Sequence, residues 1–261
     1  MTRPSPVVSG WRLVALGWSR RPGGGPDVHV YDVQTGQLIK QFWAFDPSFT
    51  GGVFVAVGDV NADGFPDIIA GADAGGGPQV RVFSGKDFSL LRSFFPFDAS
   101  FTGGVRVAAG DVNHDGYADI VSGAGPGGGP NVTVVSGKGG SVLDSFFAYD
   151  QRFSGGVYVA ALDVNGDLRA DIITAAGAGG GPDVHVYDAT NLTLLSEFFA
   201  AAPDFTAGVP IAALVTSSGK PGLVVGPSTT GGRLEILDPL SGVTIDSFFV
   251  RGGMYVAATP G

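Results

Sequence analysis

The chain repeats itself every 52 residues. The tetrad Gly-Gly-Gly-Pro ends at Pro26, Pro78, Pro130 and Pro182, and a degenerate copy, Thr230-Gly231-Gly232-Arg233, follows one step later. A fixed period of this size is the signature of a solenoid or a propeller, in which each repeat is one supersecondary unit that buries its apolar face on its neighbours.

One repeat, residues 103–154, predicts four strands. Gly103 to Gly110 is a small-residue strand with Val at alternate positions, and Asp111 to Asp119 is an acidic loop. Ile120 to Gly123 is a second strand, Gly125 to Pro130 a tight connection, Val132 to Val135 a third strand and Val142 to Ala148 a fourth. Short runs rich in Val, Ile and Phe between Gly, Pro, Asn and Asp clusters are the all-β pattern, and no stretch keeps a helical period. Four strands make one propeller blade, with the Gly- and Ala-rich strand innermost and the Phe pairs (Phe94-Phe95, Phe146-Phe147, Phe198-Phe199, Phe248-Phe249) on the outer strand.

The ends of the chain suggest closure. Trp11 to Leu16 matches second strands such as Ile68 to Ala70, and Gly252 to Ala258 matches first strands such as Gly155 to Ala161. The expectation is an all-β, five-bladed propeller with four antiparallel strands per blade. Its ring is closed by a C-terminal inner strand joining three N-terminal strands, which removes open edges. Residues 1–10 would be a linker and 11–261 a single propeller. Blade 1 is split between 252–258 and 11–46, and the others span 51–98, 103–150, 155–202 and 207–250.

The net charge of −9 is unevenly placed. The nine-residue loops 59–67, 111–119 and 163–171 carry three acids each and one base, Arg169, so they hold −8 and the rest of the chain −1. Charge concentrated in this way calls for a cation, and it argues against nucleic acid, which needs basic stripes. No run of 18 apolar residues exists for membrane insertion. The first residues lack a signal-peptide pattern, so an exported protein would contain this chain as a mature piece or a module. The absence of Cys removes disulfides and thiolate metal sites.

Each acidic loop has oxygen-bearing side chains at positions 1, 3, 5 and 9: Asp59, Asn61, Asp63, Asp67; Asp111, Asn113, Asp115, Asp119; and Asp163, Asn165, Asp167, Asp171. Position 7 (Phe65, Tyr117, Arg169) can add a backbone carbonyl. So many hard oxygens round one point suit Ca²⁺ better than a transition metal or Mg²⁺, giving three candidate calcium sites. The alternative is a set of solvated Asp-Gly turns. Position 6 is Gly64 and Gly116 in two loops but Leu168 in the third. A left-handed backbone there would cost Leu about 1–2 kcal/mol, so this site is expected to be the weakest.

The Asp-x-Asn-x-Asp-Gly-x-x-Asp loops, followed by Ile68-Ile69-Ala70-Gly71-Ala72 or Ile120-Val121-Ser122-Gly123-Ala124, resemble the FG-GAP repeats of the integrin α-subunit propeller and its bacterial relatives. The resemblance covers essentially the whole chain. It implies that the loops join first and second strands and bind calcium on one face, with partners on the opposite face. Propellers of integrin α-subunits have seven blades, so the count of five rests on these repeats alone.

Other residues have bland readings beside sharper ones. Asp46, Asp98 and Asp150 precede Phe49, Phe101 and Phe153 and fit loop caps better than a ligand ring. His29 and His185 share one repeat position and read as strand surface rather than metal ligands. On the innermost strand one position varies against a constant background: Phe54, Arg106, Tyr158, Pro210 and Tyr255. Phe54, Arg106, Tyr158 and Tyr255 are candidate ligand-binding residues, with channel filling as the alternative.

These features predict a non-catalytic, calcium-stabilised binding or adhesion module, a monomeric part of a larger extracellular or cell-surface protein, with a protein or glycan as partner. A glycoside hydrolase is the catalytic alternative, but the inner strands contain no Asp or Glu to supply a carboxylate pair. A purely structural spacer is the third.

Overall fold

The structure, a computed structural model, describes residues 13–18, 25–32, 35–226 and 232–250. All regular elements in it are strands. An N-terminal sheet consists of β1 (Leu13–Trp18), β2 (Asp27–Asp32) and β3 (Leu38–Trp43). Blade A follows with β4 (Val53–Gly58), β5 (Asp67–Ala72), β6 (Val80–Phe83) and β7 (Leu90–Phe94). Blade B holds β8 (Val105–Gly110), β9 (Asp119–Ala124), β10 (Asn131–Val135) and β11 (Val142–Phe147). Blade C holds β12 (Val157–Leu162), β13 (Asp171–Ala176), β14 (Asp183–Tyr187) and β15 (Leu194–Phe199). Blade D holds β16 (Ile211–Val215), β17 (Pro221–Val225), β18 (Gly232–Leu237) and β19 (Thr244–Val250).

Every sheet is an antiparallel meander in chain order. The ladder between third and fourth strands slips at one equivalent place in each, for example between Val134 and Val135 and between Val186 and Tyr187. Such bulges increase the local twist.

The first strands of blades A to D converge on an axis. Val55–Val57, Val107–Ala109, Val159–Ala161 and Ile211–Ala213 enclose a cavity of about 40 Å³. Small side chains are needed where four strands crowd together. The second strands β5, β9 and β13 are buried along their whole length. They lie inside their own sheet and between neighbouring sheets, so both faces are covered and their sequence is a continuous apolar run rather than an alternation. Fourth strands alternate because one face meets water. The Phe pairs divide accordingly: Phe146 meets Tyr187 of the next blade at 5.1 Å between ring centroids, while Phe147 is half exposed.

The apolar clusters lie between sheets. One joins Val28 and Val30 to Ile68 and Ala70, a second Ile69 and Val82 to Val105 and Val107, a third Val121 and Val132 to Val157 and Ile172, and a fourth Ile173 and Val184 to Leu223 and Val225. This face-to-face packing of successive sheets confirms an all-β propeller.

The expected five-bladed closed ring is not what the structure shows. Among the described residues four blades have four strands, and the N-terminal sheet has three. The only ladder that β1 makes among the described residues is with β2, from Leu13 opposite Asp32 to Trp18 opposite Asp27. No hydrogen bonds close the ring among the described residues, and residues 252–258, expected as the closing strand, lie outside them. The physical reason for the miss is that sequence likeness to a first strand reports strand propensity. Pairing depends on backbone groups meeting an open edge.

The opposite ends of the blades show why two Gly motifs recur. The ring of Phe101 lies where a Cβ on Gly103 would come within 2.4 Å and one on Gly128 within 3.0 Å. Phe-x-Gly-Gly and Gly-Gly-Gly-Pro are therefore two halves of one contact, with the phenyl ring seated on bare backbone.

Candidate metal centre

The acidic loops are the β4–β5, β8–β9 and β12–β13 connections, so all three lie at one end of the propeller. They are also linked to one another. Ala118 N donates to the Asp59 carbonyl, and Ala170 N to the Asp111 carbonyl, each at 2.8 Å. The third loop touches the second again through His114 Nδ1, 2.9 Å from the carbonyl oxygen of Leu168.

Within the first loop the side chains turn inward. Asp59 accepts from Asp63 N at 3.1 Å and Gly64 N at 2.9 Å, and Asn61 Oδ1 accepts from Asp63 N at 2.9 Å. Asp63 Oδ1 accepts from Phe65 N at 3.0 Å. The second loop repeats the pattern with Asp111 on Asp115 N and Gly116 N, and Asp115 on Tyr117 N. In the third, Asp163 accepts from Gly166 N and Leu168 N, Asn165 from Asp167 N, and Asp167 from Arg169 N. The position-7 residues Phe65, Tyr117 and Arg169 are thus held against the position-5 carboxylate.

The ninth residue has a second task. Asp67 is fully buried, and its two oxygens accept from Val60 N at 2.9 Å and from Gly85 N at 3.0 Å. Asp119 does the same with Val112 N at 3.0 Å and Gly137 N at 2.9 Å. Asp171 accepts from Val164 N at 3.0 Å and from Asn165 Nδ2 at 3.3 Å. In the first two loops the residue fastens the loop to the hairpin between third and fourth strands, a role that the spacing within the loop does not reveal.

Burial pushes Asp67 up to about 6; the amides of Gly85 and Val60 oppose this, while Asp63 and Asp59 add to it. Asp119 is pushed up to about 6 in the same way, with Asp115 and Asp111 as the like charges. Burial also raises Asp171 to about 6, opposed by the amides of Val164 and Ala189 and reinforced by Asp167 and Asp188. Three carboxylates within electrostatic reach of one another resist ionising together unless a cation joins them.

The donor set fits a hard divalent cation. Asn113 Oδ1 is buried and has no hydrogen-bond partner. An orphaned buried oxygen among three carboxylates is stabilised by a cation, since no donor reaches it. Carboxylate oxygens already accepting one amide keep a second lone pair for an ion.

The left-handed backbone at position 6 is present: φ is 85° at Gly64, 85° at Gly116 and 72° at Leu168. Position 4 is left-handed too, at Ala62 (56°), His114 (59°) and Gly166 (84°). Each loop therefore has two such positions, one held by Gly and one not. The strain assigned to Leu168 is matched by Ala62 and His114 in the other loops.

At the opposite mouth of the channel, Phe54, Arg106 and Tyr158 come together. The Arg106 guanidinium carbon lies 4.3 Å from the Tyr158 ring centroid and 5.6 Å from that of Phe54. Arg106 is buried, and its Nη1 donates to the Ala124 carbonyl at 3.1 Å. Tyr255 lies outside the described residues. Asp46 and Asp98 cap their own loops, each accepting from the amide two residues on at 2.8 Å. The hydroxyls of Ser48 and Ser100 do most to lower their pKa values.

Known sequences agree with this geometry. Residues 59–122 match the FG-GAP-like repeat and residues 103–142 the FG-GAP repeat. Together the two matches span residues 59–142, the stretch that carries FG-GAP repeats. The chain is 29% identical over 217 residues to integrin alpha-V of Gallus gallus, a stretch covering 70% of this chain and 20% of that protein. It is likewise 29% identical over 131 residues to integrin alpha-PS3 of Drosophila melanogaster, covering 46% of this chain and 11% of that one. The chain thus spans about a fifth or less of the length of these relatives.

Proposed function

We propose that this FG-GAP propeller is a calcium-binding, non-catalytic adhesion module of an extracellular or cell-surface protein. The observation that carries the reading is the buried, unpartnered Asn113 Oδ1 among Asp111, Asp115 and Asp119. Asp59, Asn61, Asp63 and Asp67 would hold one ion, their counterparts at 111–119 a second and those at 163–171 a third, each joined by the position-7 carbonyl. A bound ion would neutralise the crowded carboxylates and so lock the turn between first and second strands. Asp67 and Asp119 would pass that rigidity to the adjacent hairpin through Gly85 and Gly137.

A protein or glycan partner would bind the face opposite the loops. There the half-buried rings of Phe54 and Tyr158 flank the buried guanidinium of Arg106. The apolar cavity on the axis, lined by Val, Ala and Ile, offers no acid, base or nucleophile for a glycosidase. No helix among the described residues is long and apolar enough to cross a membrane.

The test is a screen of immobilised glycans and cell-surface protein ectodomains, in calcium and in EDTA, beside a glycoside hydrolysis screen. Calcium-dependent capture, weakened by Tyr158→Ala in a protein that still melts cooperatively, is the expected result. Turnover of any glycoside would overturn the non-catalytic reading.

A further inference from the structure

A different chemistry sits on the outer half of blade C. His185 on β14 lies opposite Glu197 on β15, and Asp183 is two residues before His185 on the same side of the strand. Ligand atoms of the three side chains lie within 4.8 Å of one another. His185 Nε2 is 3.3 Å from Asp183 Oδ2 and 3.8 Å from Glu197 Oε1.

The proton on His185 can be placed. Its Nδ1 lies 3.0 Å from Tyr187 Oη and 3.1 Å from the Ala148 carbonyl oxygen; the hydroxyl gives its hydrogen to that carbonyl, so both neighbours accept and Nδ1 carries the hydrogen. Tyr187 Oη donates to the same carbonyl at 2.7 Å, and the Tyr149 ring lies 4.6 Å from the imidazole. The ring is therefore held firmly, with its Nε2 lone pair turned towards two carboxylates. Nε2 is buried without a hydrogen-bond partner despite its nearness to Asp183, and Asp183 Oδ1 is likewise buried and unpartnered. An imidazole fixed by Nδ1–H on a backbone carbonyl, with Nε2 free, is the arrangement of a metal-binding histidine.

The N-terminal sheet supplies an internal control. Asp27, His29 and Gln41 occupy the equivalent positions, and there His29 Nε2 and Gln41 Nε2 both lie 2.8 Å from Asp27 Oδ2. The amide of Gln41 gives the carboxylate a donor. Glu197 stands where Gln41 does, and it replaces that donor with another negative charge.

We propose that Asp183, His185 and Glu197 form a site for a divalent transition-metal ion of borderline softness, with Zn²⁺ the best match. One imidazole and two carboxylates suit such an ion and not Ca²⁺, which takes oxygen ligands. Ligands at about 2.0–2.1 Å in a tetrahedron stand about 3.3–3.4 Å apart, close to the His–Asp separation. Glu197 is exposed enough to close from solvent, leaving a fourth position for water or a partner's side chain. Because His185 is anchored on Ala148 of blade B, the ion would clamp the seam between blades B and C. This site is independent of the calcium loops.

The experiment is equilibrium dialysis against Zn²⁺ with calcium saturating, metal counted per chain, on the whole protein. One Zn²⁺ per chain is expected. His185→Ala should abolish it, and Glu197→Gln, at an exposed position that does not threaten folding, should weaken it about tenfold or more. His29→Ala should change nothing. Absence of bound Zn²⁺ overturns the proposal, as does Zn²⁺ retained unchanged in both His185→Ala and Glu197→Gln, or lost in Asp115→Ala.

Discussion

Ala118 donates its backbone N–H to the carbonyl of Asp59, 2.8 Å away in the loop of the preceding blade. The same bond recurs between Ala170 and Asp111, so the three acidic loops form one chain of hydrogen bonds across the blades. An ion bound in one loop would fix a residue that holds the next.

The ninth loop residue should be a structural fastening as well as a ligand. Asp119→Ala strands two buried amides, of Val112 and Gly137, at a site where a Cβ on Gly137 would already meet the Ala118 carbonyl at 2.1 Å. Each unsatisfied amide costs about 1–3 kcal/mol, so urea unfolding in EDTA should show a loss of about 2–6 kcal/mol. Asp115→Ala, which leaves those amides paired, should lose much less in EDTA.

Acid should stabilise the metal-free protein over a limited range. The carboxyls of Asp67, Asp119 and Asp171 are raised to about 6 by burial, against an ordinary 3.8 when unfolded. Between those values the folded state holds the extra protons, so its stability falls as pH rises and the loss is complete above about pH 6. Melting in EDTA should therefore be several degrees higher at about pH 5 than at about pH 7.5, and calcium should restore the difference at the higher pH. The carboxyls of Asp46, Asp87 and Asp98, held below their ordinary value by serine hydrogen bonds, act in the opposite sense in stronger acid, where stability falls with pH. A melting temperature that is flat or rising over that range in EDTA would contradict the burial of these three carboxyls.

Leu168→Gly should stabilise the chain by about 0.5–1 kcal/mol, since Leu168 is exposed and held at φ 72°. Ala62→Gly, at φ 56°, should do the same in the first loop. If Leu168→Gly helps and Ala62→Gly destabilises, the strain is not shared among the loops as their dihedrals indicate.

The repeat period made the blades readable because each blade must spend the same glycines where Phe49, Phe101 and Phe153 lie on bare backbone. The acidic loops were readable because ligand spacing is local. Ring closure was not, since likeness of residues 252–258 to a first strand says nothing about which edge they meet. Position 4 was hidden because Ala62 and His114 give no sign of a left-handed backbone. The sequence reads His185 as strand surface for a related reason: it meets Glu197 only through the β14–β15 register, which a bulge shifts by one residue.

The central claim is that the loops bind calcium, and calorimetric titration of the EDTA-treated protein tests it most directly. The account predicts three calcium ions per chain, one fewer in Asp115→Ala, and a melting temperature that rises with occupancy. A titration showing no calcium binding, with a melting temperature indifferent to EDTA, would contradict it.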